Sequence, residues 1–382
     1  MRIVLNGVET NNKGAELMLY AILQEIEKKY SNAEVFIPYR NVPQGIEFVD
    51  TPLKFRYKPL YILKKIAHKF RLGSILRRLG VYCNWIYDLE AVGKTDYFID
   101  GSGFAFSDQW KLTPTAVTAW KKQLAGYKKQ GTKIVFLPQA FGPVSLKETK
   151  DIIAVLNKYA DVIMPRERVS LKYLEECNVN PSKIALFTDF TSLVHGIIPI
   201  KYNHLQGAVC IIPNKRMIDK GTITIENYLK ILTGIIHKAQ ELGKNVYLLN
   251  HEGKEDEELA YMCHAELGGN IEVVTGLKGL EVKGLISTSY LCITSRFHGV
   301  ASALNSCVPC LATSWSHKYE ELFKDYGMKD CVLNIADLDI CLAKVSEYMD
   351  TNYNNIVRQQ LTKRLPLIQE QTRRMWNKVW QP

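Results

Sequence analysis

Leu291–Gly299 reads LCITSRFHG: an apolar run stops abruptly at Ser295, Arg296, Phe297 and His298, and VASALNS (300–306) follows as a helix-like segment. Strand, polar turn and helix in that order is the repeating half of a parallel α/β sheet. The same order makes a place to hold an anion. A helix start leaves amide donors free and carries partial positive charge. Arg adds a planar fork matched to carboxylate or phosphate, and His can hold or move a proton near neutral pH. The stretch therefore predicts a phosphorylated or carboxylated small molecule held by Ser295, Arg296 and His298. WSHKY (315–319) follows the next strand, so His317 and Lys318 are expected to face the same ligand.

Outward from this point the alternation of strand and helix signals runs both ways. In the first half, strands are predicted at 2–6, 34–38, 97–100, 133–138, 161–164 and 184–187, with helices at 13–30, 114–129, 145–159 and 169–177. A seam at 196–207 lacks helical pattern and carries Pro199. Strands then restart at 208–213, 245–250, 271–275, 290–294 and 309–314, with helices at 225–242, 256–267, 278–286, 300–305 and 319–326. A last helix, 352–380, is expected to kink at Pro366. The pattern predicts an α/β protein of two Rossmann-like parallel-sheet domains facing a cleft, GT-B-like, with the C-terminal helix packing back. The expected division is 1–200 (acceptor side, with a basic insertion at 51–87), 201–350 (donor anion site) and 351–382.

Composition fits a globular protein: 382 residues, 47% hydrophobic and 23% charged, are enough for two cores. MRIVLNG at the start reads as a strand and loop, not as a signal peptide. No apolar run reaches the roughly 18 residues that a membrane span needs. Nine cysteines, odd in number and irregular in spacing, point to reduced thiols and a cytoplasmic protein. Cys307-x-x-Cys310 lacks the second pair of a zinc ribbon, and no metal-ligand spacing is visible, so neither metal nor cofactor is expected.

The net charge of +10 is local: between Asp50 and Asp88 there are nine Lys and Arg and no acidic residue. Within it Leu63, Ile66, Ala67 and Phe70 share one helical face, away from Lys64, Lys65, Lys69 and Arg71. This predicts either an amphipathic segment, 51–87, that rests on an anionic membrane surface, or an insertion whose apolar face packs on the first domain or a second subunit of a homo-oligomer. Nucleic acid is not expected, because no aromatic stacking platform accompanies the charge.

In parallel α/β sheets ligands gather at the carboxyl ends of the strands. Those ends carry Asn6-Gly7, Asp100-Gly-Ser-Gly, Gln139, Arg166-Glu167 and Asp189 in the first half, and Asn214-Lys215, His251-Glu252 and the SRFH turn in the second. Arg166 suits a cationic wall, although Arg166-Glu167-Arg168 also suits a salt-bridged helix start. The loop Asn11–Glu16, with Asn12 and Gly14, suits an anion or sugar hydroxyls; it has neither G-x-G-x-x-G nor a P-loop. For Arg296 the competing role is a buried pair with a carboxylate, and for His251 a structural one.

The chain resembles the polysaccharide pyruvyl transferase family. The resemblance rests on VETNNKGAELM (8–18), DGSG (100–103), LPQAFGP (137–143), PRERVSLKYL (165–174), TDF (188–190), LLNHEGKEDEELA (248–260) and TSRFHGVASALNSCVPCLATSWSHKY (294–319), which follow in order along nearly the whole chain. SRFHG is the most specific of them. Two elements depart from the usual pattern: the glycine-rich turn after 97–100 is Gly-Ser-Gly, and the first loop reads Asn-Lys-Gly-Ala-Glu.

The resemblance implies transfer of the three-carbon unit of phosphoenolpyruvate to two hydroxyls of a sugar, giving a cyclic ketal and phosphate. It makes Arg296, Arg166, Lys318, His317, His251, Ser295, Asn12, Gly14, Asp100 and Gln139 the substrate-binding set. His298 becomes the acid, and Asp189 or Glu167 the base. The acceptor would be a surface or capsular polysaccharide precursor, free, nucleotide-linked or polyprenyl-diphosphate-linked, and the basic window 51–87 would bring the protein to it on the inner face of the plasma membrane. The competing activity is a GT-B nucleotide-sugar glycosyltransferase, whose Arg-His helix start would hold a nucleotide diphosphate.

Overall fold

The computed structural model describes residues 1–37, 54–57, 94–219, 221–313 and 318–381. They divide into two compact units, the first comprising 1–9, 18–187 and 378–382, the second 10–17 and 188–377. The expected boundary at 200/201 thus lies past the observed one at Phe187/Thr188. The last helix is not a separate segment either: it joins the second unit up to Asn377.

The first unit is built on a parallel sheet of six strands in the order β3-β2-β1-β4-β5-β6. They are β1 (Arg2–Asn6), β2 (Glu34–Ile37), β3 (Lys54–Tyr57), β4 (Tyr97–Asp100), β5 (Lys133–Gln139) and β6 (Val162–Pro165). Ile3, Val4, Leu5, Phe98, Ile99 and Ile134 to Phe136 have no exposed surface, as expected for strands covered on both faces. The helices are α1 (Lys13–Lys29), α2 (Pro114–Lys129), α3 (Lys147–Tyr159) and α4 (Arg168–Glu176). α2 starts where Thr113 Oγ1 accepts from Ala116 N at 3.2 Å and Pro114 takes the first helical position.

The second unit carries a parallel sheet of five strands, β11-β10-β7-β8-β9. These are β7 (Val209–Ile212), β8 (Val246–Leu249), β9 (Glu272–Val274), β10 (Leu291–Thr294) and β11 (Cys310–Ala312). Between and after them run α5 (Arg216–Asp219), α6 (Ile225–Glu241), α7 (Gly253–Glu266), α8 (Gly279–Ser287), α9 (Phe297–Asn305), α10 (Lys318–Asp325), α11 (Leu338–Met349) and α12 (Thr351–Trp380). α12 passes through Pro366 as a single helix. The described cysteines are free thiols, Cys307 and Cys310 among them. No helix of the described residues is long and apolar enough to cross a membrane.

Several elements differ from the sequence-based expectation. Residues 184–187 form no full strand; Ala185 and Phe187 donate to Ile163 and Pro165 of β6 and then leave the sheet. Lys54–Tyr57, inside the basic insertion, is strand β3, paired with β2 and at the sheet edge among the described residues. The remainder of 51–87 lies outside the described residues, and so does His317. α9 starts three residues earlier than 300, which puts Phe297 and His298 inside its first turn.

Candidate functional site

In the second sheet the chain order reverses between β7 and β10: β8 and β9 add on one side of β7, β10 and β11 on the other. The loops leaving the carboxyl ends of β7 and β10 must part there, which opens the crevice where such sheets bind ligands. Asn214 and Ser295 are the residues at those two ends. Asn214 Nδ2 donates to Ser295 O at 2.8 Å, and Tyr319 OH donates to the same carbonyl. Ser295 is fully buried. It fixes the exit of β10 and offers no surface to a ligand.

The turn after Ser295 is tightened from within. Arg296 N donates to Thr294 Oγ1 at 2.9 Å, and a Cβ on Gly299 would stand 2.9 Å from that oxygen. The strand therefore passes into α9 without a spacer, with Arg296 as its N-cap. His298 Nε2 lies 3.2 Å from Asp189 Oδ2, and both groups are buried. Asp189 Oδ1 accepts from Thr191 N at 2.9 Å and from Thr191 Oγ1. Burial by itself would raise the Asp189 carboxyl; the His298 imidazole and the Thr191 donors outweigh it and hold the group well below the usual carboxylate range. A carboxylate facing Nε2 favours the tautomer that carries its proton there and leaves Nδ1 as the nitrogen without one.

Nδ1 faces the first loop. A Cβ on Gly14 would lie 2.2 Å from it, so only glycine lets α1 begin against this ring. Asn12 shapes that start: its Oδ1 accepts from Gly14 N at 2.9 Å and from Ala15 N at 3.3 Å. Asn12 also pairs through its backbone with Glu252 in an antiparallel bridge, and Lys13 N donates to His251 O at 3.4 Å. The His251 side chain is 2% exposed, and neither ring nitrogen has a hydrogen-bond partner among the described residues. Burial first, then the positive fields of Arg296, His298 and Lys13, push this imidazole well below its ordinary range, so it is neutral.

The Arg296 fork is already engaged. Its Nε donates to Asp256 Oδ2 at 2.8 Å and Nη1 donates to Glu252. Glu252 is the N-cap of α7 and Asp256 sits in its first turn, so one guanidinium joins the start of α7 to the start of α9. The competing role noted for Arg296, a buried pair with a carboxylate, is the one seen. Lys318 Nζ stands 5.9 Å from the Phe297 ring centroid and 5.4 Å from that of Tyr319.

Asp100, Gln139, Arg166 and Glu167 belong to the first unit. Asp100 is fully buried and accepts from Asn6 Nδ2 at 2.6 Å, Ser102 N at 3.2 Å, Ser102 Oγ at 3.0 Å and Gln139 Nε2 at 3.1 Å. Asp100 and Gln139, expected on the substrate, instead tie β1, β4 and β5 together. Glu167, expected as a base, caps α4 by accepting from Ser170 N at 3.2 Å. Arg166 N donates to Gln139 O at 3.0 Å, and its side chain is buried.

One charged group escaped the sequence reading. Lys283, in the middle of α8, is 2% exposed, and its Nζ donates to Thr191 O at 2.9 Å. Burial pushes its ammonium down to about 8, against the pull of the Asp189 carboxylate. Its only sequence signal is a lysine set among the apolar residues Val282, Leu285 and Ile286 of GLEVKGLIS (279–287).

Residues 12–317 match the family described as polysaccharide pyruvyl transferase. No curated relative matches the chain. Among solved structures it is similar to Staphylococcus aureus MnaA in a UDP co-structure, with TM-score 0.61 and 12% identity over 99% of this chain and 96% of that one. A UDP-GlcNAc 2-epimerase from Neisseria meningitidis bound to UDP-GlcNAc gives 0.60 and 12% over 99% of both chains. Anabaena HepE in complex with UDP-glucose gives 0.60 and 10% over 99% and 100%. At such identities the likeness establishes the fold, two Rossmann-like units of the GT-B-like class.

Proposed function

The chain belongs to the polysaccharide pyruvyl transferase family, and on that premise we propose that it transfers the pyruvyl group of phosphoenolpyruvate to a sugar diol of a surface polysaccharide precursor. The observation that carries this reading is the His298–Asp189 pair at the start of α9, with Nδ1 turned to the side-chain-free Gly14.

The reaction needs two additions at one carbon. One sugar hydroxyl bonds to C2 of phosphoenolpyruvate while the methylene carbon takes a proton and becomes a methyl group. The second hydroxyl then bonds to C2 and the C2–O bond to phosphate breaks. A single imidazole serves both steps: His298 gives a proton to the methylene carbon and takes the first hydroxyl's, then gives that proton to the departing phosphate and takes the second hydroxyl's, ending as it began. Asp189 does not act as the base in this scheme. It fixes the ring and steadies the imidazolium. The donor's anionic groups are met by the α9 N-terminus, by neutral His251 as a hydrogen-bond donor, and by Lys318. Arg296 supports them from behind.

The acceptor is proposed to be lipid-linked, on the strength of the basic window 51–87. Co-sedimentation with anionic vesicles at low and high salt tests that part. For the reaction itself, phosphoenolpyruvate should raise the melting temperature, and phosphate should be released once a glycan diol is added. Stabilisation by uridine nucleotides with none by phosphoenolpyruvate overturns the reading in favour of a glycosyltransferase.

A further inference from the structure

The proposed cycle requires His298 to be neutral for part of each turnover. Asp189 is buried, and a buried carboxylate without a countercharge takes up a proton. A protonated Asp189 would no longer fix the ring, so the carboxylate gains from a second positive charge besides His298, beyond the hydrogen bonds from Thr191. His298 from α9, Tyr326 from the turn after α10 and Lys283 from α8 each act on Asp189. Tyr326 is uncharged and donates its hydroxyl proton to Asn305. That leaves Lys283, whose Nζ is tied to the carbonyl of Thr191, the residue whose amide and hydroxyl hold Asp189 Oδ1.

We propose that Lys283 is a positioning residue of the His298–Asp189 pair: the buried countercharge that keeps Asp189 a carboxylate while His298 is neutral. The site is then a buried row of Lys283, Asp189 and His298, with Thr191 as the common anchor of its first two members. Asp189 keeps a positive neighbour whichever way the His298 proton goes. Lys283 also explains the order of the chain here. The turn Thr191–Leu193 receives the ammonium on its carbonyl and presents Asp189 on its amide side, so a displaced Lys283 would move the carboxylate with it.

The inference rests on the proposed function for the value of a neutral His298, but its test does not. In a His298→Gln background, which takes away the imidazolium, carboxyl titration by 13C NMR should show Asp189 of Lys283→Met taking up its proton at a pH higher by about one unit, the lower end of the effect of an adjacent opposite charge. Lys283→Arg should return it toward the original position. With phosphoenolpyruvate, Lys283→Met should lower kcat about tenfold or more and leave KM nearly unchanged, the pattern of a lost transition-state contribution. An unshifted Asp189 titration in folded Lys283→Met of that background overturns the proposal. If that variant fails to fold, the double variant Asp189→Asn/Lys283→Met, which removes both buried charges, should regain a cooperative melt; continued failure overturns the proposal as well. A shifted carboxyl in a protein that releases no phosphate from phosphoenolpyruvate defeats the proposed function and leaves the Lys283 assignment standing. An unshifted one in an active enzyme does the reverse.

Discussion

Gly14 and His298 touch across the two helix starts of the second unit: a Cβ on Gly14 would stand 2.2 Å from Nδ1 and 2.6 Å from Cγ of the imidazole. The contact ties the first loop to the most specific motif of the chain. It also accounts for a glycine at the second position of α1, where glycine otherwise weakens a helix by up to about 1 kcal/mol relative to alanine.

Gly14→Ala separates these effects. Helix propensity alone predicts a small gain in stability. The contact predicts a displaced imidazole, a turnover lower by about 10²-fold or more, and no gain in melting temperature. Phosphate-release kinetics and a thermal melt on the same preparation decide it; a stabilised, fully active variant would show that the ring does not use Nδ1.

Arg296→Ala is expected to act on stability before it acts on binding. The substitution leaves Asp256 buried with no guanidinium and frees Glu252, and breaking a buried pair from one side costs about 3–5 kcal/mol. Urea denaturation should show that loss. Replacing Asp256 and Glu252 by Asn and Gln in the same chain should recover a large part of it.

Asp100→Ala should leave KM for phosphoenolpyruvate nearly unchanged and lower stability. The half-buried donors of Asn6 and Ser102 and the buried one of Gln139 lose their acceptor, at about 1–3 kcal/mol for the buried amide. A changed KM without a changed melt would return Asp100 to the substrate.

The strand-to-helix passages were legible in the sequence because each apolar run ends in a polar turn, which is why β10, α9 and the residues Arg296 and His298 could be placed. Pairing was not legible. A sequence puts Arg296, Asp100 and Glu167 at strand ends, and strand ends hold both ligand groups and the fasteners of the fold. Only the partners, Glu252 and Asp256 for Arg296 and Ser170 for Glu167, tell the two apart. β3 was hidden because KFRY lies in a basic window read as one amphipathic piece. α11 was missed although Asp337 announces it, its Oδ1 accepting from Ile340 N at 3.0 Å. Lys283 was invisible for a further reason: a lysine in a helix is read as solvated, and its burial comes from the turn Thr191–Leu193, far away in sequence.

Lys283 gives the site a pH signature with two opposite signs. Burial lowers its folded-state value to about 8, whereas a lysine in the unfolded chain titrates near 10.4. Between these values the unfolded chain binds a proton that the folded protein does not, so stability from this group rises with pH across that window. Below about pH 8 both states are protonated and the contribution is flat. Catalysis should run the other way, because a neutral Lys283 no longer balances Asp189 when His298 gives up its proton. Turnover is therefore expected to fall as pH rises through about 8 while the urea midpoint holds or climbs. In Lys283→Arg, which stays charged throughout, the alkaline fall in kcat should disappear. A parallel loss of activity and stability above pH 8 would instead mean that the site is simply unfolding, and the countercharge role would fail with it.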